Sequence, residues 1–358
     1  MNDFLIIGGG IAGISAAARL SHLGKVTVLE AESALGFHAS GRSAAMFEET
    51  YGSPSTVALN QASRTYHEST NGGVLSPRGL MLIGSDKDQV EFSNDMKVMA
   101  LKPMALDEAL ELVPILKPEV VTQVGYHADA FDIDTDLLIQ NFAREVRANG
   151  GEVLTNQRVL KISQNAGGWN VESDRQEYKA KMLINAAGAW VDHIAQLAGV
   201  ASLGFSPQRR SIARVPAPDG HDVRNWLLMF GPGEHWYAKP DAGKLLISPA
   251  DEDVVEPHDA WPEDLDLATG IARYEEVMNH TVTRLESSWA GLRTFSPDRS
   301  LVIGPDPNVA SFFWVAGQGG YGFQTSPAAS QLVSDLVAGR ASEMDSKVIQ
   351  MLSPARFS

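Results

Sequence analysis

The chain has no cysteine among its 358 residues. That absence removes disulfides, thiol nucleophiles, thiolate-ligated zinc, iron–sulfur clusters and any cysteinyl bond to a flavin. Positive charge is also scarce. Lys and Arg number 29 against 44 Asp and Glu, giving a formal net charge of −15 and a pI near 5.0. Nucleic-acid proteins usually carry a basic footprint, and anionic lipid attracts one, so neither partner is expected. No apolar run approaches the roughly 20 residues that span a bilayer. Asp3 stands where a secretory signal would have its basic region, so no such signal is expected and the default location is the cytoplasm. No metal site is expected. What remains is ordinary globular composition, 44% apolar and 20% charged, at a length that suits two domains or one large one.

The order of elements is legible from periodicity. Residues 3–8 (DFLIIG) read as a buried strand, 12–23 as a helix and 25–30 (KVTVLE) as a second strand, a βαβ opening. Residues 31–55 are rich in Ala, Ser and Gly without a period and read as a long functional loop. The segment 60–135 is mixed, with a strand at 80–84 and a helix at 106–113. An amphipathic helix is predicted over 136–149, capped by Asp134 or Thr135 and stopped by Gly150. Short strands fill 152–185 and a helix follows at 190–198. From 206 to 290 alternating segments predict an antiparallel sheet with a hairpin about PDAG and one helix at 265–280. The end returns to buried strands (SLVIG, FFWVAG), a glycine-rich turn and a helix at 326–338. The fold class is therefore α/β with an inserted second domain. Segments 1–75, 136–205 and 287–358 read as a nucleotide-binding domain, and 76–135 with 206–286 as the inserted antiparallel-sheet α+β domain.

Three motifs carry chemistry. Gly8-Gly9-Gly10-Ile11-Ala12-Gly13 matches G-x-G-x-x-G directly after a strand and at the opening of a helix. The glycines let the chain turn, approach a pyrophosphate and pack helix on strand, while the helix N-terminus offers free N–H groups to an anion. Glu30 ends the next strand 20 residues after Gly10 and is followed by Ala31. Its carboxylate suits ribose hydroxyls and repels a 2′-phosphate. An NAD domain would continue strand–helix–strand, but here the chain enters His38-Ala39-Ser40-Gly41-Arg42-Ser43-Ala44-Ala45. Small residues permit close backbone approach, and Arg42 can neutralise a phosphate or orient nearby backbone. Gly317-Gln318-Gly319-Gly320-Tyr321-Gly322-Phe323-Gln324-Thr325 follows a buried strand and precedes a helix, whose N-terminus can face an electron-rich ring edge.

Together GGGIAGISAAARL, VLEAE, GFHASGRSAAMF, LINAAGAWVD, WAGLRTFSPD and FFWVAGQGGYGFQTSPAAS resemble the D-amino-acid oxidase superfamily of FAD-dependent oxidoreductases. SGRSAA, PQRRS, YAKPDAG, DLATG and AGQGGYG are most similar, in the same order, to bacterial D-amino-acid dehydrogenases of the D-arginine dehydrogenase type. The resemblance implies a glutathione-reductase-like Rossmann FAD domain with an antiparallel-sheet substrate domain. It implies Gly8, Gly10, Ile11, Ala12, Gly13, Glu30 and Ala31 on the ADP part. Ser40, Gly41, Arg42, Ser43 and Ala45 would run along the pyrophosphate and flavin, with Val159 at the adenine. Ala187, Gly188 and Trp190 would line the ribityl side. Gly319, Gly320, Tyr321, Gly322, Phe323, Gln324 and Thr325 would cover the flavin pyrimidine end. With no cysteine, the FAD is expected to be non-covalent and dissociable.

The same resemblance places Arg210 and Arg293 on a substrate carboxylate, with Tyr51, Tyr237 and Gly320 walling the site. The planar guanidinium binds carboxylate bidentately whatever the family. This chain departs from the D-arginine group at Leu80, where that group has a Glu, and at Met46, where it has a His. Glu48 and Glu49 add acid nearby. Leu80 and Met46 favour an apolar or neutral substrate side chain, while Glu48 would receive a basic one if it faces inward. The expected reaction is oxidation of a D-amino acid to the imino acid by hydride transfer from Cα to flavin N5, with hydrolysis to 2-oxo acid and ammonia. A secondary amine such as sarcosine or an N-alkyl amino acid, or a 2-hydroxy acid, is the alternative substrate. Two functions of a different class also fit the nucleotide-binding motif: an NAD-dependent dehydrogenase, and a flavin-binding subunit without turnover. The electron acceptor stays open between oxygen, a quinone and a carrier.

Overall fold

The structure, a computed structural model, describes residues 1–357. Strand β1 (Asn2–Ile7) is apolar on both faces and runs into helix α1 (Ile11–Leu20), whose Ile-Ala-Gly-Ile-Ser-Ala-Ala-Ala run is almost wholly buried. Strand β2 (Val26–Leu29) returns parallel to β1. Continuous burial is what a parallel sheet covered on both faces requires. Beyond β2 lies Glu152–Leu154; on the other side of β1 lies the long strand Glu177–Asn185. That strand splits its pairing. Its first half takes the antiparallel hairpin Val159–Asn165 and Gly168–Ser173, and its second half takes Phe312–Ala316 in parallel. Helices α1, Thr135–Ala148 and Gly322–Ala338 share one core on a single face of this sheet.

A second eight-stranded sheet carries the rest. Its order is Ser287–Phe295, Ser206–Val215, Lys244–Ser248, Tyr237–Asp241, Leu228–Phe230, Leu80–Gly84, Gln123–His127 and Lys102–Pro103. The PDAG hairpin forms as expected: Ala242 and Gly243 both take positive φ, the left-handed pair that a tight two-residue hairpin turn needs. A small sheet of Met46–Glu48, Ala130–Ile133 and Leu75–Pro77 adjoins it. Among the described residues, no helix is long and apolar enough to cross a membrane.

Several expectations are corrected. The stretch 31–55 is not one loop, because Met46–Glu48 pairs as a strand and a 16-residue helix starts at Pro54 under the Ser53 cap. That helix, Pro54–Ser69, hides its signal by burying small polar residues such as Ser55, Asn60 and Ser63 rather than an apolar stripe. Gln89–Val98 is a further helix that sequence periodicity did not show, since only Phe92 is buried in it. Ser287–Phe295, expected within the nucleotide-binding part, pairs along its length with Ser206–Val215 and lies in the second sheet. The C-terminal helix begins at Gly322, inside the glycine motif, rather than at 326. Asp134 caps the 135–148 helix as expected, accepting from Leu137 N at 2.9 Å.

Two tests follow from this packing. A Cβ on Gly13 would lie 1.9 Å from the Gly8 carbonyl oxygen, in backbone that cannot yield. Gly13→Ala is therefore expected to lose several kcal/mol, seen as a thermal midpoint lowered by several degrees or as insoluble protein; a wild-type midpoint contradicts the close approach. His67 is buried edge-on against Phe47 at 5.3 Å, with Nε2 3.0 Å from the Gln324 carbonyl oxygen. Burial lowers its pKa from 6.5 to about 4. The unfolded imidazole thus takes a proton before the folded one does. The contribution of His67 is full above about pH 6.5 and falls by about 3 kcal/mol as the pH drops to about 4. Denaturant titrations of wild type and His67→Gln across this window should show a shallower decline in the variant; equal slopes contradict it.

Candidate active site

At the end of β1 a glycine turn brings three elements together. Gly8 has φ +109°, and a Cβ there would meet the Ala186 carbonyl at 2.3 Å. The turn opens into a cleft of about 1010 Å³ lined by Gly8, Gly10, Glu30, Ala31, Ser40, Arg42, Val159, Ala187, Gly188 and Trp190. Glu30 Oε2 accepts from Gly9 N at 2.7 Å and Oε1 from Glu32 N at 2.8 Å. Each oxygen keeps a lone pair for a hydroxyl donor. Gly13 lies behind the cleft, reserved for the contact with Gly8. Ser40 Oγ accepts from Ile11 N at 3.1 Å and so caps α1, while Gly41 N donates to Gly36 O and folds the loop on itself.

Arg42 is held within the protein. Its guanidinium donates to the carbonyls of Ala260 and Ala290 at 2.8 and 2.9 Å and pairs with Asp259. It thereby orients backbone of the second sheet and of the 254–260 segment while still lining the cleft. Trp289 Nε1 returns a bond to Arg42 O, locking the loop to strand Ser287–Phe295.

Deeper in, a cavity of about 140 Å³ is lined by Gly10, Ile11, Ala12, Ser43, Ala45, Gly188, Gly319, Gly320, Gly322, Phe323 and Gln324. The N-terminus of the Gly322–Ala338 helix points here, and Tyr321 occupies its cap position. Three residues of its lining carry a buried polar atom without a partner among the described residues: Arg210 at Nε, Thr294 at Oγ1 and Gln324 at Nε2. A buried donor without an acceptor is costly, so these atoms are open to a partner. Thr325, by contrast, turns its hydroxyl back to Tyr321 O and lines neither cavity. Lys239 steadies the Ala45 edge, reaching Ala45 O at 3.3 Å and Asp132 at 2.7 Å.

Adjoining it is a pocket of about 130 Å³ that brings Met46, Glu48, Tyr51, Leu80, Arg210, Tyr237, Arg293 and Gly320 together. Strand register sets the arginines. Gln208 stands opposite Arg293, so Arg210, two residues on, shares that face as a diagonal neighbour, while Arg209 points the other way into Asp251, Asp253 and Asp266. Gly320 lies close beside them, since a Cβ there would stand 3.0 Å from Arg293 Cζ and displace the guanidinium by a few tenths of an ångström. Arg293 has no carboxylate within ion-pair distance among the described residues. Burial opposes its charge, but Tyr51, Tyr237 and Glu234 outweigh this and hold its pKa above the ordinary value. Burial, and then the like charge of Arg293, push Arg210 below its ordinary value. Tyr51 donates to Glu234 Oε2 at 2.7 Å, and burial raises its phenol well above the usual range. Glu48 is only 4% exposed; Thr50 N and Oγ1 meet its Oε1 at 3.0 and 2.7 Å, and His127 Nδ1 lies 2.9 Å from Oε2. Glu49 points away, onto Arg64.

The pocket also contains residues not picked out by sequence: Met99, Leu228, Phe230, Glu234 and Trp236. Leu228 and Phe230 had a signal, the period-two spacing in Leu-Met-Phe beside a turn. Glu234 had none, because a non-glycine residue at φ +55° in the turn after Phe230 is not foreseeable from its identity. Glu252, which holds Arg210 Nη2 at 2.9 Å, was hidden because it lies 42 residues away in sequence.

The sequence matches the family described as DAO, FAD dependent oxidoreductase, over residues 3–336. It is 25% identical to a glycine oxidase of Bacillus licheniformis over 94% of this chain and 93% of that protein. Its fold is similar to the L-alpha-glycerophosphate oxidase of Mycoplasma pneumoniae with FAD bound, with a TM-score of 0.85 at 20% identity over 94% of each chain. It is also similar to L-proline dehydrogenase from P. horikoshii, with a TM-score of 0.83 at 20% identity over 99% of this chain and 97% of that one. The D-arginine dehydrogenase type is not singled out among these. The chain belongs to the DAO family of FAD-dependent oxidoreductases.

Proposed function

We propose that this protein oxidises an amino acid at Cα, a D-amino acid with an apolar or neutral side chain, releasing an imino acid that water converts to 2-oxo acid and ammonia. One observation carries the reading: Arg293 is a guanidinium with no carboxylate within ion-pair distance among the described residues, set in a small, mostly apolar pocket. Segments 1–75 and 136–205 with the C-terminal strands and helix hold FAD, and the second sheet, including Ser287–Phe295, carries the substrate side. The residues present fit the cofactor. The glycine turn leaves room for close approach, Glu30 retains acceptor capacity, and Thr294 and Gln324 offer unspent polar atoms to a ring edge. Bound FAD supplies the acceptor for the hydride that leaves Cα.

The protein's own part is binding and orientation. Arg293 takes the substrate carboxylate through two parallel N–H bonds, with Arg210 beside it. Tyr51 and Tyr237 close the pocket around Cα, and Leu80, Met46, Leu228 and Phe230 accept the side chain and exclude water. No histidine lines this pocket among the described residues. An amine that arrives neutral needs no protein base, so the pocket's residues act by placement. D chirality rests on the motif resemblance. A secondary amine is the second reading, favoured by similarity in fold to a proline dehydrogenase and by a pocket small enough for a cyclic or N-methyl substrate.

The purified protein is expected to absorb near about 450 nm and to release its flavin on acid precipitation, because no cysteine can hold it covalently. A turnover screen of D-, L- and N-methyl amino acids and 2-hydroxy acids, with oxygen and with an artificial dye as acceptor, then separates the readings. Highest kcat/KM on a neutral D-amino acid supports the first, on an N-alkyl or cyclic amine the second. Turnover of 2-hydroxy acids alone sinks both, and flavin that no substrate bleaches without oxygen makes the protein a binding subunit.

A further inference from the structure

The two pocket arginines are not equivalent in charge. Arg210 Nη2 lies 2.9 Å from Glu252 Oε1, and Arg299 Nη2 holds both oxygens of the same carboxylate at 3.1 Å. Arg210 is 8% exposed and its Nε is buried without a partner. Its charge is compensated from outside the pocket, whereas Arg293 has no carboxylate within ion-pair distance among the described residues. Two further carboxylates meet the same space. Glu48 lines one wall, bound to Thr50 and His127, and Glu234 stands exposed at the rim with the Tyr51 hydroxyl on it. The pocket thus offers one free cation and two carboxylates, which suits a ligand with a single carboxylate.

Resting on the reading of this pocket as the substrate site, we propose that Glu252 sets its charge selectivity: by holding Arg210 it leaves Arg293 as the one free anchor, so substrates with one carboxylate are taken and those with two are refused. A second carboxylate would be stripped of water, would find no free guanidinium, and would lie in the field of Glu48 and Glu234. Specificity here comes from repulsion and withheld attraction as much as from fit. Glu252 touches Arg210 and not the substrate; it is a positioning residue. Its side chain is 40% exposed, so Glu252→Gln keeps the shape and removes the charge without opening a buried void. The variant releases Arg210 to accept a second anion.

The test uses the FAD-loaded enzyme. One arm compares kcat/KM for alanine against aspartate, and sarcosine against iminodiacetate, with a dye acceptor. The other reads the thermal midpoint with propanoate against succinate, which needs no turnover. Wild type should favour the monocarboxylate of each turnover pair by about a hundredfold and be stabilised by propanoate and not by succinate. Glu252→Gln should narrow that preference at least about tenfold and gain stabilisation by succinate. Succinate stabilising wild type as well as propanoate overturns the proposal, as does an unchanged preference in Glu252→Gln. Should that variant not fold, the wild-type ligand pair still decides. Selective binding of propanoate with no turnover of any amine supports the charge selectivity and overturns the substrate reading, whereas turnover with equal use of both acid classes overturns the selectivity alone.

Discussion

Strand Ser206–Val215 lies antiparallel to Ser287–Phe295, with Gln208 opposite Arg293, and this register decides what the pocket is. Because side chains alternate along a strand, Arg210 shares the Arg293 face and Arg209 is turned to the far side, where four carboxylates take it up. A slip of one residue would exchange the two adjacent arginines and turn the wrong one to the pocket. The same strand fixes the neighbours: Gly319 N donates to Thr294 O, which lays the glycine motif over Phe295 and sets Gly320 beside the Arg293 guanidinium. The pocket, the inner cavity and the helix start at Gly322 are therefore held to one another through a single strand.

The glycine turn at the end of β1 does the corresponding work for the large cleft. Gly8 against Ala186 and Gly13 against Gly8 are backbone contacts with no room for a side chain. They press α1 onto the sheet and leave the cleft between Glu30 and Trp190 open. The two halves are joined by loop 38–45, anchored at Arg42 to one carbonyl of the second sheet and one of the 254–260 segment, and at Ser40 to the first turn of α1. An acidic protein thus keeps its few pocket cations in different states: Arg42 tied to backbone, Arg210 paired to Glu252 and Arg293 without an ion-pair partner among the described residues.

What was legible in the sequence follows from which forces leave a local trace. β1, α1 and β2, the Asp134-capped helix and the PDAG hairpin were readable because propensity, capping and turn chemistry act within a few residues. The helix Pro54–Ser69 was not, since it packs through buried hydroxyls and amides that give no apolar period. At the site, residues carrying motif identity were found, and they do meet in space: Tyr51, Tyr237, Arg210, Arg293 and Gly320 surround one pocket. Partners set by tertiary geometry were not found. Asp259 on Arg42, Glu252 on Arg210 and Glu234 on Tyr51 lie 217, 42 and 183 residues from the groups they bind. The contacts to the two arginines change which guanidinium is available, so charge state at the site was the least legible property of all.

The proposed role of Arg293 as the anchor for a substrate carboxylate is tested by the steady-state kinetics of Arg293→Ala and Arg293→Lys on the best amino-acid substrate, with FAD content measured in each protein. Loss of a buried charged partner should raise KM by about thirtyfold or more in Arg293→Ala at full FAD loading, with partial recovery in Arg293→Lys, which keeps the charge and loses the paired donors. Wild-type KM and kcat in Arg293→Ala would contradict it.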